Sequence, residues 1–124
     1  MTYKGRTNVD EERKRFLIAI HEDLHKRKTK ILRLRTDHLY VTNIPSAQWL
    51  ALIQYMLEHH QPGSGTAAIL TSNLKQFGRL DDECRDNFWD TMMFLWNHMP
   101  EQIWGSEQNV RDWLELRRHL EAVA

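Results

Sequence analysis

The chain has few of the residues that staple, hinge or anchor a protein. Its one cysteine among 124 residues, Cys84, excludes an internal disulfide. There is no Gly-rich phosphate loop, no glycine-flanked nucleophile pattern and no paired-cysteine metal spacing, so the common signatures of phosphoryl transfer, hydrolysis and zinc binding are missing. No stretch approaches the ~20 apolar residues of a membrane span. The first twenty positions carry charges every few residues in place of an apolar signal core. The expectation is a cytoplasmic single domain, 1–124, with no membrane partner and no cofactor. A chain of this length can bury roughly two thirds of its unfolded surface in one core.

Net charge is also absent, with 17 basic and 17 acidic side chains. The distribution is uneven. Residues 1–35 hold eleven basic and five acidic side chains, and the rest of the chain holds six and twelve. Such asymmetry points to nucleic acid or another acidic partner, unless the two halves neutralise each other in the fold.

What is present is mostly helical period. The segment Asp82 to Met99 places Cys84, Phe88, Trp89, Met92, Met93, Leu95, Trp96 and Met99 on one arc of about half the circumference when wound at about 100° per residue. That is wider than the stripe a peripheral helix buries, so this segment is expected to be the central core helix, capped by Asp81. Phe94 falls outside the arc, where an exposed aromatic can contact a partner. Asn8 and Glu11 resemble a capping box for a first helix from about Val9 to Lys26, with Phe16, Leu17, Ile20 and Leu24 inward. Ser46 is the expected N-cap of a second, buried through Trp49, Leu52, Ile53, Met56 and Leu57. Thr66 to Thr71 fits either a short strand or a helix start, and the expectation is a third helix, through Phe77 with Gly78 as its stop. The last, capped by Ser106, packs through Val110, Trp113, Leu114, Leu116, Leu120 and Val123.

Between the first two helices, Leu32 and Leu34 alternate with Arg33 and Arg35, and Leu39 to Thr42 follows a short turn, which suggests a β-hairpin. The fold class expected is therefore mainly α, a compact bundle of four to five helices with a minor hairpin.

Five features bear on function. Lys26, Arg27, Lys28, Lys30, Arg33 and Arg35 form a cationic strip of the kind that binds phosphate backbones, to which Tyr3, Lys4, Arg6 and Tyr40 can add contacts. The opposing reading pairs the strip with the acidic ridge Asp82, Asp86 and Asp90. His21-Glu22-Asp23-Leu24-His25 is a literal H-E-x-x-H, which would place two imidazoles on one helix face for zinc. Charged neighbours, the lysine cluster beside it and the lack of an evident third ligand favour a solvated helix face. His59 and His60 are adjacent, point about 100° apart and cannot chelate by themselves. Trp104 lies between two helices, where it either closes the bundle end or meets a partner. Cys84 sits beside Arg85 near a helix start, but its place on the apolar arc reads as a core thiol.

In the second half of the chain, the order Arg79-Leu80-Asp81, Arg85, Trp89 and Trp113 is loosely similar to small accessory proteins of bacteriophage recombination modules, the NinB type. The resemblance implies phage or mobile-element ancestry and assigns no site. The residues themselves lead to the expectation of a non-enzymatic protein that binds nucleic acid, or a nucleoprotein complex, through residues 26–35. The alternative is a protein-binding modulator or a homodimer acting through Phe94, Trp104 and the acidic ridge.

Overall fold

The computed structural model describes the backbone of residues 2–73 and 82–123, with side chains from residue 11 onward except 83, 84 and 123. Its elements are α1 (Thr2–Lys26), α2 (Lys28–Asp37), α3 (Leu39–Thr42), α4 (Ser46–Glu58), α5 (Ser64–Thr71), α6 (Asp82–Asp86), α7 (Phe88–His98), a 3-10 turn (Glu101–Ile103) and α8 (Glu107–Val123). The mainly α architecture is as expected. The hairpin is not, because both of its expected strands are the helices α2 and α3. Ile31 and Leu34 are buried and Leu32 is exposed, so the working period is three, not two. Leu and Arg are good helix formers, and the segment Leu32 to Arg35 has no β-branched residue to set against the helix.

α4 is the most deeply embedded element. Leu52, Ile53, Met56 and Leu57 are buried on it, as the spacing anticipates, whereas Trp49 is half-buried and Tyr55 and Gln48, which the spacing does not mark, go in with them. Gln48 is satisfied inside the core: Thr66 Oγ1 donates to its Oε1 (3.1 Å), and its Nε2 donates to Thr91 Oγ1 (3.3 Å). Thr91 Oγ1 in turn donates to the Asn87 carbonyl (3.2 Å). A satisfied polar network of this kind fixes the register of α4, α5 and α7 against one another.

α7 carries the largest departure from the sequence reading. The expected helix from 82 to 99 breaks at Asn87, and the buried face holds Thr91, Phe94 and Leu95. Phe94 is 0% exposed, whereas Trp89 and Trp96 are 63% and 59% exposed. The buried sector is thus turned from the apolar arc by roughly one residue's 100° step. Two contacts account for the turn: Thr91 enters the core because Gln48 meets its hydroxyl, and Phe94 receives the edge of Trp49 with ring centroids 5.1 Å apart. An apolar arc covering half a helix is also too wide for its neighbours to cover, so part of it stays outside.

Local signals have mixed outcomes. Ser106 caps α8 as expected, its Oγ accepting from the Asn109 N–H (3.1 Å). Ser46 is instead the first residue of α4 and makes no cap, and α1 begins at Thr2, so Asn8 and Glu11 lie within the helix. Phe16 is exposed while Leu17 and Leu24 are buried. α5 ends at Thr71, where Ser72 turns left-handed (φ 57°), and the end of the expected span at Phe77 lies outside the described residues. Gly78, Asp81 and the run Arg79–Asp81 lie outside the described residues, as do the side chains of Tyr3, Lys4, Arg6, Asn8, Cys84 and Val123. Gly105 adopts φ 95°, a turn that suits glycine, and its N–H donates to the Leu70 carbonyl (2.6 Å).

α1 is stitched to α8 and the 3-10 turn by Arg13. Its Nε donates to Asp112 Oδ2 (3.2 Å), and its Nη2 to the Gln102 carbonyl (3.2 Å) and Asn109 Oδ1 (3.0 Å). Among the described residues, no helix is long and apolar enough to cross a membrane.

Candidate nucleic-acid interface

The cationic strip forms the junction of α1 and α2. Arg27 caps α2 without a side-chain hydrogen bond, and no acidic residue occupies the first turn of that helix. Lys26, Arg27, Lys28 and Lys30 are all exposed. Arg27 meets Asp23 one turn back (2.9 Å), and Arg33 meets Asp37 one turn on (3.9 Å). These are exposed i, i+4 pairs, which contribute little and open readily. Among the described residues, Lys26, Lys28 and Lys30 have no ion-pair partner, and the strip forms none with Asp82, Asp86 or Asp90. Asp82 pairs with its neighbour Arg85 instead.

Arg35 leaves the strip. Its Nη2 donates to Ser46 Oγ (3.2 Å), its guanidinium lies 5.9 Å from the centre of the Trp49 ring, and its Nη1 is buried with no hydrogen-bond partner among the described residues. The expectation that Arg33 and Arg35 share a face is corrected by the helix, in which i and i+2 point away from each other. Arg35 joins α2 to α4, while Arg33 faces solvent.

α7 runs close to this junction. Arg27 and Trp96 line one open recess together with Met92 and Pro100. Burial holds His98, on the last turn of α7, below the ordinary histidine range, with positive charge from His38 and then Arg27 adding to it. The His98 Nε2 is hydrogen-bonded to the Tyr40 hydroxyl (2.5 Å), which ties Tyr40 to α7 and away from the strip. Trp89 and Trp96 stand edge to face at 6.0 Å. The sequence reading placed both in the core and so missed them as surface residues. The one signal available was the excess width of the arc.

Of the two residues expected to meet a protein partner, neither presents a surface. Phe94 is wholly buried. Trp104 closes the bundle end, with Nε1 donating to the Met99 carbonyl (3.2 Å).

The H-E-x-x-H segment does bring its imidazoles together, His21 and His25 having ring centroids 4.2 Å apart. Carbonyls only accept, which fixes the tautomers. His59 Nδ1–H donates to the Trp113 carbonyl (2.8 Å), so its Nε2 accepts from His21 Nδ1–H (2.7 Å). His25 Nε2–H donates to the Leu57 carbonyl (2.8 Å). His21 is thus bonded to a third histidine, His59, in a chain that runs from α1 through the end of α4 to α8, while His25 bonds α4 separately; this is a structural use of the motif. Among the described residues, no three His, Cys, Asp or Glu side chains are arranged to hold a metal ion. His59 is 3% exposed and left-handed (φ 57°), a conformation uncommon for a non-glycine residue; the two hydrogen bonds on its ring hold it there. Comparison of the chain with protein-family models, with curated proteins and with solved structures gives no match.

Proposed function

We propose that this protein is a non-enzymatic binder of nucleic acid, alone or within a nucleoprotein complex, through the α1/α2 junction. The observation that carries this reading is the crowding of Lys26, at the end of α1, with Arg27, Lys28 and Lys30, at the start of α2. A helix N-terminus is the positive end of the peptide dipole, where acidic side chains are favoured by roughly 0.3–1 kcal/mol each and cations are disfavoured. At Lys28 and Lys30 that preference is reversed, whereas Lys26 ends α1, where a cation is favoured; no carboxylate from the acidic half of the chain compensates the cluster among the described residues. Phosphates of a nucleic-acid backbone would relieve that strain and release their counterions on binding. Contacts of this type position a duplex or strand but carry little sequence information.

The test is a variant that removes the charge and keeps the helix: Lys26→Gln with Lys28→Glu and Lys30→Glu. Glutamates in the first turn of α2 suit its dipole, so the far-UV helical signal and the urea midpoint are expected to hold. Affinity for short DNA or RNA is expected to fall at least tenfold at moderate salt, with a shallower salt dependence. Unchanged affinity in the folded variant would rule out the junction as the binding surface.

A further inference from the structure

Trp89 and Trp96 pose a separate question, since they are large, exposed and unused by the fold. They sit about two helical turns apart on α7 with Met92 and Met93 half-buried between them. Their rings are held edge to face at 6.0 Å, so the pair presents aromatic surface at two orientations. The charge around them is graded along the helix. Asp86 and Asp90 flank Trp89, whereas Trp96 shares its recess with one acid, Glu101, and with Arg27, next to Lys26 and Lys28 in the chain. The C-terminal half of α7 therefore joins an aromatic face to the cationic junction.

We propose that Trp96, supported by Trp89, is a base-stacking platform that makes single-stranded nucleic acid the preferred ligand of this surface. This inference rests on the function proposed above and adds the ligand class. Phosphates of the strand would lie along Lys26 to Lys30, with Arg27 exchanging its exposed Asp23 partner for a phosphate, and an unpaired base would lie on the Trp96 ring. Aromatic stacking is tolerant of base identity because every base has a π-face, and it is denied to a duplex, whose bases are already stacked. Repulsion from Asp86 and Asp90 directs the strand toward the Trp96 end, so Trp96 contributes more than Trp89.

The experiment compares two probes of equal length and charge, an oligothymidylate and the same backbone carrying abasic sites, against the unaltered protein, Trp96→Ala and Trp96→Phe. The unaltered protein is expected to bind the base-bearing strand about tenfold more tightly than the abasic strand. In Trp96→Ala that ratio falls toward one, and in Trp96→Phe it is largely kept. A ratio near one in the unaltered protein, with the lysine variant still losing affinity, overturns the stacking platform and leaves the cationic interface standing. Absence of binding to either probe at low salt overturns both. Sedimentation showing a dimer that Trp96→Ala dissociates would assign the tryptophan pair to a second copy of the chain and also overturn this inference.

Discussion

Trp113→Ala is expected to destabilise the protein by about 3–5 kcal/mol, the range for deleting a fully packed core aromatic. Trp113 is 0% exposed, and its ring lies 4.0 Å from that of His59. Its Nε1 donates to the Tyr55 carbonyl (2.8 Å), so truncation leaves a cavity and removes one of the two hydrogen bonds that this carbonyl accepts, the other coming from the His59 N–H (3.1 Å). Tyr55 is itself buried at the centre of α4, its hydroxyl bonded to the Ile103 carbonyl and pushed well above the ordinary phenol range by burial, so the damage spreads to the 3-10 turn. Small domains hold roughly 5–15 kcal/mol in total, and this loss is a large share of it. Trp96→Ala makes the natural comparison, since an exposed site is expected to change stability by no more than about 0.5 kcal/mol. Urea denaturation of the two variants measures both. Equal losses would contradict the assignment of one tryptophan to the core and the other to the surface.

Acid is expected to unfold the protein through His59. Burial pushes its pKa down from the usual 6.5 to about 4; the hydrogen bond to the Trp113 carbonyl opposes the shift, while positive charge from His21, His25 and Arg117 adds to it. The groups that line a recess with it include Glu58 and His60 beside it on the chain and Glu121 on α8. Between pH 6.5 and 4 the unfolded chain takes up a proton at this residue and the native one does not. Stability is therefore complete above about pH 6.5 and declines as pH falls to about 4, by about 3 kcal/mol from this residue. His21 and His98, both held low first by burial, act with the same sign. Protonating His59 also requires His21 to change tautomer, because Nε2 of His59 then becomes a donor. Unfolding free energies measured at pH 7 and pH 5 should differ in this direction. In His59→Asn, a residue that tolerates the left-handed backbone, the difference should shrink. An undiminished acid dependence in that variant would place the titrating group elsewhere.

The fold was legible where one physical signal acted alone. The period of α4 and α8 gave their buried faces, and Ser106 followed by a helical stripe gave its cap. It was not legible where two signals competed. Leu32 to Arg35 fits period two as well as a helix, and only the packing of Ile31 and Leu34 decides between them. On α7, hydrophobicity alone ranks tryptophan above threonine for burial. The order reverses because Gln48 can satisfy Thr91 and because Trp49 packs against Phe94, contacts between residues 43 and 45 positions apart. The candidate site follows the same pattern. The cluster at 26–30 is contiguous and could be read directly, whereas the loss of Arg35 to Ser46 and Trp49 and the approach of Trp96 to Arg27 are tertiary facts. The histidine chain shows the converse: a five-residue motif with a known chemical use is here completed by His59, a residue with no place in that motif.

The most direct test of the central claim is a binding titration of the purified protein against short single- and double-stranded DNA and RNA at low and moderate salt. Binding that weakens steeply with salt is expected, with log affinity falling against log salt by a slope of about 2–3 for three or four phosphate contacts. No binding at low salt, where surface electrostatics are strongest, would contradict the account and reassign the exposed lysines to a protein partner or to solvent alone.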